Sequence, residues 1–542
     1  MRTTMGSLDI DYSNPSPLGY GNGRHAGDTE KEVIDRTASI VRSINHGTSV
    51  HRKLKSRHIQ LIGIGGTIGT ALYVQIGRGL MQGGPASLFI AFSFWCTVIL
   101  AVTMCLAEMV TYLPISSPFI RFAGRYVDEA FGFMTGWNFF VFEAAMVPYE
   151  ITACNVIITY WSDVVPTGVI VAIVVVLYTI INFAAVKYYG ETEFWAAIGK
   201  FLLIVGLIVF TFLVMVGANP QHDAFGFKFW YEPGPFTQYY STAGPDYVSM
   251  SAGEAENPRS VMPRAFNAVF YRLTTFFVLG SLCVGILTPY NDEEMVEAFN
   301  EGRPGAAASP YVVAMNRMGI PVLPHIVNAM VLTAAFSAGN SYVYCASRSL
   351  YGLALEGKAP QLLRKVTRHG VPVYCVGAVM LISLLAFLSV SNNAAVVLNW
   401  FVALVTASQL INFTCMCVTY LCFHRALIAQ GMSRDCLPYK AWFQPYGAYY
   451  AGITTFIMTF VGGYTVFLPG MWNVPNFLFS YTMVFICPIL FLGYKLYYKT
   501  RVHKPADVDL LKNLAEVDEY ERNYAPTSTE NPFEKWLDKL FG

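Results

Sequence analysis

Stretches of about twenty mostly apolar residues, each long enough to cross a bilayer as a helix, recur along this chain between residues 58 and 498. Reading between charged residues and Pro/Gly punctuation places them at roughly 58–80, 86–113, 131–161, 166–187, 194–217, 237–254, 268–289, 322–350, 372–390, 395–422, 447–468 and 474–498. In hydrocarbon every backbone polar group must be satisfied within its own segment, which favours helices for runs of this length. The sequence therefore predicts an all-α polytopic membrane protein of twelve transmembrane helices. Hydrophobic residues make up 54% and charged residues 13% of the chain, against roughly 25% charged in soluble domains. A large soluble enzyme is excluded on that ground. A net charge of +1 offers no field to nucleic acid.

The few charges are segregated. With the N-terminus inside, Arg52, Lys53, Lys55, Arg57, Arg121, Arg125, Lys187, Arg259, Arg264, Arg272, Arg348, Lys358, Arg364, Lys365, Arg368, Arg425, Arg434, Lys440, Lys495, Lys499, Arg501 and Lys504 fall on the inner side of the spans. Only Arg78, Lys228, Arg303 and Arg317 flank them outside. The positive-inside rule thus gives two cytoplasmic termini. Residues 1–50 read as a disordered cytoplasmic tail without a signal-peptide core, and residues 51–500 as the transmembrane domain. Residues 501–542 read as a second cytoplasmic tail, polar from about Asp507. Its end, Phe533–Phe541, is weakly amphipathic and either lies on the membrane surface or is disordered. The eleven cysteines show no metal or disulfide spacing. No nucleophile–base or metal set stands out, so the reading contains no catalytic residue, metal or cofactor.

Two spans carry sequences that do not suit a continuous helix. The first holds Gly63, Gly65, Gly66 and Gly69 within Gly63–Thr70, each glycine costing roughly 1 kcal/mol against alanine. The sixth holds Gly244-Pro245-Asp246, where proline removes a donor and clashes with the preceding turn. Small-residue packing is the plain alternative. Breaks at matching places in two halves mark the binding site of an inverted-repeat transporter. That predicts two five-helix repeats, about 58–217 and 237–422, followed by two extra helices, about 447–498. A half-helix N-terminus suits a carboxylate and unwound carbonyls suit an ammonium. Gly65, Gly66, Thr67, Gly69 and Thr70 are therefore expected to hold a substrate carboxylate. Ala243, Gly244, Asp246 and Tyr247 are expected around its ammonium.

Arg57–Thr70 (RHIQLIGIGGTIGT) resembles the first span of fungal amino acid permeases. So do Tyr189–Trp195 (YGETEFW), Ala252–Arg259 (AGEAENPR), Ser341–Leu353 (SYVYCASRSLYGL), Glu356–Pro360 (EGKAP) and Leu437–Lys440 (LPYK). The resemblance covers about residues 50–500. It implies membership of the amino acid–polyamine–organocation superfamily, a leucine-transporter-like fold and proton-coupled import of amino acids at the plasma membrane by alternating access. It also implies cytoplasmic tails open to ubiquitin-ligase adaptors. The partners are then the amino acid, protons and the lipid bilayer. The chain departs from the family pattern at Gly69-Thr70-Ala71-Leu72-Tyr73, at Gly244-Pro245-Asp246-Tyr247 and at Ser116-Ser117-Pro118-Phe119. These departures bear on side-chain specificity.

Ionisable groups within a bilayer are functional candidates by default. Lys200 matches a lysine that related proton-coupled carriers place where sodium-coupled relatives hold sodium. It is expected either to exchange a proton in each cycle or to stand as a fixed charge against carbonyls of the first and eighth spans. Glu143 and Glu150 are seven residues apart on one helix face. Either could carry a proton or bind a cationic group, or both are packed carboxyls. Asp246 is expected to bind substrate or a proton, or to cap the following half-helix. Glu108 and Glu254 read as gate or loop partners of cytoplasmic arginines, and His325 as interfacial. Ser337, Asn340 and Ser341 are expected near the fifth span. Phe142, Tyr247 and Trp400 are side-chain pocket candidates. A carrier of a related amine (polyamine, carnitine or 4-aminobutyrate) and a permease-like nutrient sensor are the rival readings. Tails of only about 50 and 40 residues lean against the sensor.

Overall fold

The computed structural model describes residues 69–115, 117–162, 164–183, 186–237, 273–298, 309–367, 370–392, 394–511, 514 and 517. All regular elements among them are helices. A π-helical turn, Ala71–Gln75, runs into Ile76–Tyr112, within which Gly84 departs to φ 79, ψ 170. The departure divides this stretch into α1 (71–83) and α2 (85–112). A positive φ favours glycine, and a Cβ at Gly84 would lie 2.8 Å from the Pro235 carbonyl oxygen. Pro85 then opens α2 at the first helical position, where its missing N–H costs nothing. The corner is stitched to the chain at 235–237 by Ala86 N–H donating to Pro235 O (2.9 Å) and Thr237 N–H to Gly83 O (3.0 Å).

The remaining helices are α3 (Pro118–Tyr126), α4 (Glu129–Ile158), α5 (Thr167–Phe183), α6 (Val186–Met215), α7 (Leu279–Leu287, entered through a π turn at Leu273–Val278), α8 (Pro310–Arg317), α9 (Leu323–Leu355), α10 (Val373–Ser391), α11 (Ala394–Ala429), α12 (Tyr446–Val461) and α13 (Val474–Tyr498). Where the expected spans fall on described residues, a helix lies there, with ends that differ by up to eight residues, eight at the start of α6 and seven at the end of α11. The expected span 237–254 and most of 58–80 lie outside the described residues. Eight helices among the described residues are long and apolar enough to cross a membrane. Two shorter apolar helices, Thr167–Phe183 and Thr274–Leu287, accompany them.

The core sits on α4. Its most extensive contacts run to α9, then to α11, and its span is the most deeply buried of the set. The outer helices invert the pattern of a soluble protein. Ile453, Phe456, Ile457 and Phe460 of α12 and Val169, Ile173, Val176 and Ile180 of α5 are exposed at three- to four-residue spacing. Exposed apolar rows of this length are the surface a helix offers to lipid.

The C-terminal segment departs from the sequence reading. The chain from about Asp507 was expected to be a polar tail, yet Val508 and Leu510 are buried. Backbone contacts hold this segment. His503 N–H donates to Val127 O (2.9 Å), Arg125 Nε to Asp509 O (2.8 Å) and Gln430 Nε2 to Val508 O (2.7 Å). Lys495 donates to Asp128 Oδ2 at 2.5 Å. Two apolar residues alternating with aspartates were too short a pattern to register as packing.

Candidate functional site

Gly69 and Thr70 stand at the start of α1, the only residues of the two expected breaks that are described in full. Gly65, Gly66 and Thr67, and Ala243, Gly244, Asp246 and Tyr247, lie outside the described residues, as does Glu254. Thr70 is 1% exposed. It donates its hydroxyl proton to Glu150 Oε2 at 2.9 Å, and its oxygen lies 3.1 Å from the Tyr149 hydroxyl. A group expected to hold a carboxylate and a group expected to carry a proton are thus joined by one hydrogen bond. Close approach makes this junction. A Cβ on Gly69 would lie 3.0 Å from both Glu150 Oε1 and Ala338 Cβ. On the far side, a Cβ on Gly339 would collide with the Tyr178 hydroxyl and come within 3.0 Å of Glu150 Cβ. Tyr178 donates to Phe336 O at 2.9 Å, so its ring is fixed over the glycine.

A second polar centre lies on α6. Lys200 is 2% exposed, and its Nζ is 3.4 Å from Glu193 Oε1. Glu193 Oε2 accepts from Ser337 of α9 at 2.6 Å. Tyr73 of α1 donates to the Lys200 carbonyl oxygen at 3.2 Å. One chain of contacts therefore links α1, α6 and α9. The sequence reading missed Glu193 as the carboxylate facing Lys200. The signal was present, since seven residues on one helix return to the same face. The reading did place Ser337 near α6. Asn340 instead accepts from Asn182 Nδ2 of α5 at 2.7 Å.

Glu143 is fully buried, and neither carboxyl oxygen has a hydrogen-bond partner among the described residues. Phe142 beside it meets Tyr342 of α9 edge-on, with centroids 6.5 Å apart. Trp400 is removed from the pocket candidates. It stacks on Phe479 and donates to Asn476 Oδ1 at 3.2 Å, both on α13. Glu108 does pair with an arginine. It accepts from Arg434, from Tyr420 Oη at 2.6 Å and from Ala441 N–H at 2.9 Å, pinning the α11–α12 connection to α2. His325 accepts from Trp161 Nε1 at 3.1 Å, a contact that is part of the exposed surface.

These helices and polar centres sit within a stretch, residues 58–506, that matches the family model described as amino acid permease. The general amino acid permease AGP2 of Saccharomyces cerevisiae is 46% identical over 90% of this chain and 85% of its own length. The proline-specific permease of the same yeast is 38% identical over 86% of this chain and 79% of its own. Its lysine-specific permease is 36% identical, again over 86% and 79%. A match of this breadth is a match to the whole transmembrane body, and the chain belongs to the amino acid permease family.

Proposed function

We propose that this permease is a secondary active amino acid transporter that takes up its substrate together with protons across the plasma membrane. In this reading twelve spans form two inverted five-helix repeats and two extra helices, with both termini cytoplasmic. The substrate carboxylate rests on Gly65, Gly66, Thr67, Gly69 and Thr70, and its ammonium on the backbone around Ala243, Gly244 and Asp246, with Tyr247 beside it. The names of the relatives support an amino acid as cargo.

The observation that carries the reading is the Thr70–Glu150 hydrogen bond. Threonine has one hydroxyl proton. While Glu150 is ionised, that proton is committed to Oε2, and a second carboxylate arriving at Thr70 meets a like charge. Once Glu150 takes up a proton, the repulsion ends and Thr70 can turn its own proton to the substrate. Carboxylate and proton then bind as a pair, which is the thermodynamic content of symport. Lys200 acts as the second coupling group. Its loss of a proton would leave Glu193 to rely on Ser337, and Tyr73 connects that change to α1. Alternation of access follows from rearrangement of α1 against α4, α6 and α9.

Labelled amino acid uptake into permease-deficient yeast tests this reading through Glu150→Gln. The variant is expected at the cell surface with facilitated exchange but without uphill accumulation, and with uptake insensitive to external pH. Accumulation as steep as wild type, still collapsed by a protonophore, would remove Glu150 from the coupling.

A further inference from the structure

We infer that Glu143 selects substrates with a cationic side chain; the inference rests on the transport reading above. The described chain buries the acidic residues Glu108, Asp128, Glu143, Glu150 and Glu193. Glu108 is met by Tyr420, Arg434 and Ala441 N–H, and Asp128 by Lys495 and Ala130 N–H. Glu150 is met by Thr70, and Glu193 by Lys200 and Ser337. Glu143 alone among them has both oxygens without a hydrogen-bond partner among the described residues. An unpaired carboxylate withdrawn from water is costly. The position is tolerable as a neutral acid, and it becomes favourable as an anion when a cation reaches it.

The place of Glu143 fits that use. Two close approaches fix the antiparallel register of α4 and α9. A Cβ on Gly136 of α4 would collide with Leu353 Cδ2, and a Cβ on Gly339 of α9 would lie 3.0 Å from Glu150 Cβ. Glu143 is seven residues from both Gly136 and Glu150, so it stands on the same face along this seam. Its distance from Glu150 along the helix axis is roughly 10 Å. A lysine-like side chain extends roughly 6 Å from α-carbon to ammonium, and a glutamate carboxyl reaches roughly 4 Å from its own α-carbon. A substrate whose carboxylate sits at Thr70 can therefore bring a terminal cation to Glu143, and a short neutral side chain cannot replace it. The Phe142–Tyr342 pair lies on the same seam next to Glu143, and aromatic surface beside a carboxyl suits a cation.

The test compares wild type, Glu143→Gln and Glu143→Asp in permease-deficient yeast, with labelled lysine and labelled leucine as probes and rates normalised to surface protein. Glu143→Gln keeps the shape and removes the charge. It is expected to lower the lysine-to-leucine ratio of kcat/KM by about tenfold or more, mostly through the lysine KM, as for loss of a hydrogen bond to a charged group. Glu143→Asp withdraws the carboxylate by one methylene and is expected to lower the ratio by about threefold; it decides the matter if the Gln variant fails to reach the surface. Equal losses for both probes, or a ratio unmoved in either variant, would overturn the inference and return Glu143 to a general coupling or packing role. So would a wild-type protein that refuses lysine while carrying leucine or any other labelled amino acid, whereas one that carries no labelled amino acid at all sinks the transport reading itself.

Discussion

Replacing Thr70 by valine removes one hydroxyl and leaves the side-chain volume nearly unchanged. Thr70 is 1% exposed and Glu150 2% exposed, so the 2.9 Å hydrogen bond that is lost is shielded from bulk solvent. A hydrogen bond to a charged group contributes about 1.5–3 kcal/mol. If the same hydroxyl serves the substrate carboxylate, that loss appears in transport at about tenfold per 1.4 kcal/mol, so kcat/KM falls roughly 10- to 100-fold. Serine at 70 restores the oxygen and is expected to remain within about threefold of wild type. The assay is initial-rate uptake of labelled amino acid, normalised to surface protein, at several external pH values. The pH dependence is the sharper readout. At high pH an ionised Glu150 already holds the Thr70 proton in wild type, so valine removes least there, and the rise in KM relative to wild type is expected to be largest at low pH. Wild-type kcat/KM in the valine variant, with normal surface levels, would refute the claim that Thr70 stands between proton and substrate.

Lys200→Met is expected to abolish accumulation while leaving the protein at the cell surface, measured by protonophore-sensitive uptake; normal accumulation would show that the buried ammonium is dispensable. Gly339→Ala forces a methyl into the Tyr178 hydroxyl and is expected to cost about 1–3 kcal/mol of stability by overpacking. Adding Tyr178→Phe removes the hydroxyl clash but leaves the ring carbon Cζ 2.8 Å from the new methyl, so it should recover only part of the melting temperature measured in detergent; a double variant no more stable than the single would contradict the contact. Burial raises the pKa of the Asp128 carboxyl, but hydrogen bonds from Lys495 and Ala130 N–H outweigh it and hold the carboxyl below its usual range. A depressed folded-state pKa contributes stability that is present above the unfolded value of about 3.9 and lost as pH falls through the lower folded value. Asp128→Asn is therefore expected to melt lower than wild type at neutral pH, by about 2 kcal/mol, with the gap closing only in strongly acidic buffer. A gap independent of pH would mean that charge is not what the pair contributes.

The spans were legible because the bilayer demands a uniform signal. The ends read for α4, α10 and α13 lie within three residues of the observed ones, since each is bounded by charge, proline or glycine, whereas α11 runs seven residues past the end read for it. The α1–α2 corner was legible for the same reason, with Gly83-Gly84-Pro85 falling between two apolar runs. Glu150 and Lys200 could be singled out because an ionisable residue in an apolar run is conspicuous by itself. Their partners could not. Thr70 and Glu150 are 80 residues apart and meet only because Gly69 and Gly339 let three helices approach. Glu193 lay within a motif read for its resemblance, and its partnership with Lys200 and Ser337 is a matter of helix facing. Trp400 illustrates the opposite error, since an aromatic in a span announces neither a pocket nor a neighbouring helix. The buried 508–510 segment was hidden by its aspartates, because its anchoring runs through backbone carbonyls that any residue supplies.

Purified protein in sealed liposomes, with a pH gradient imposed and labelled amino acid outside, puts proton-coupled transport to the most direct trial. An alkaline interior is expected to drive accumulation above the external concentration, accompanied by proton entry and abolished by a protonophore. Label that merely equilibrates, at the same rate with and without the gradient, would contradict the account.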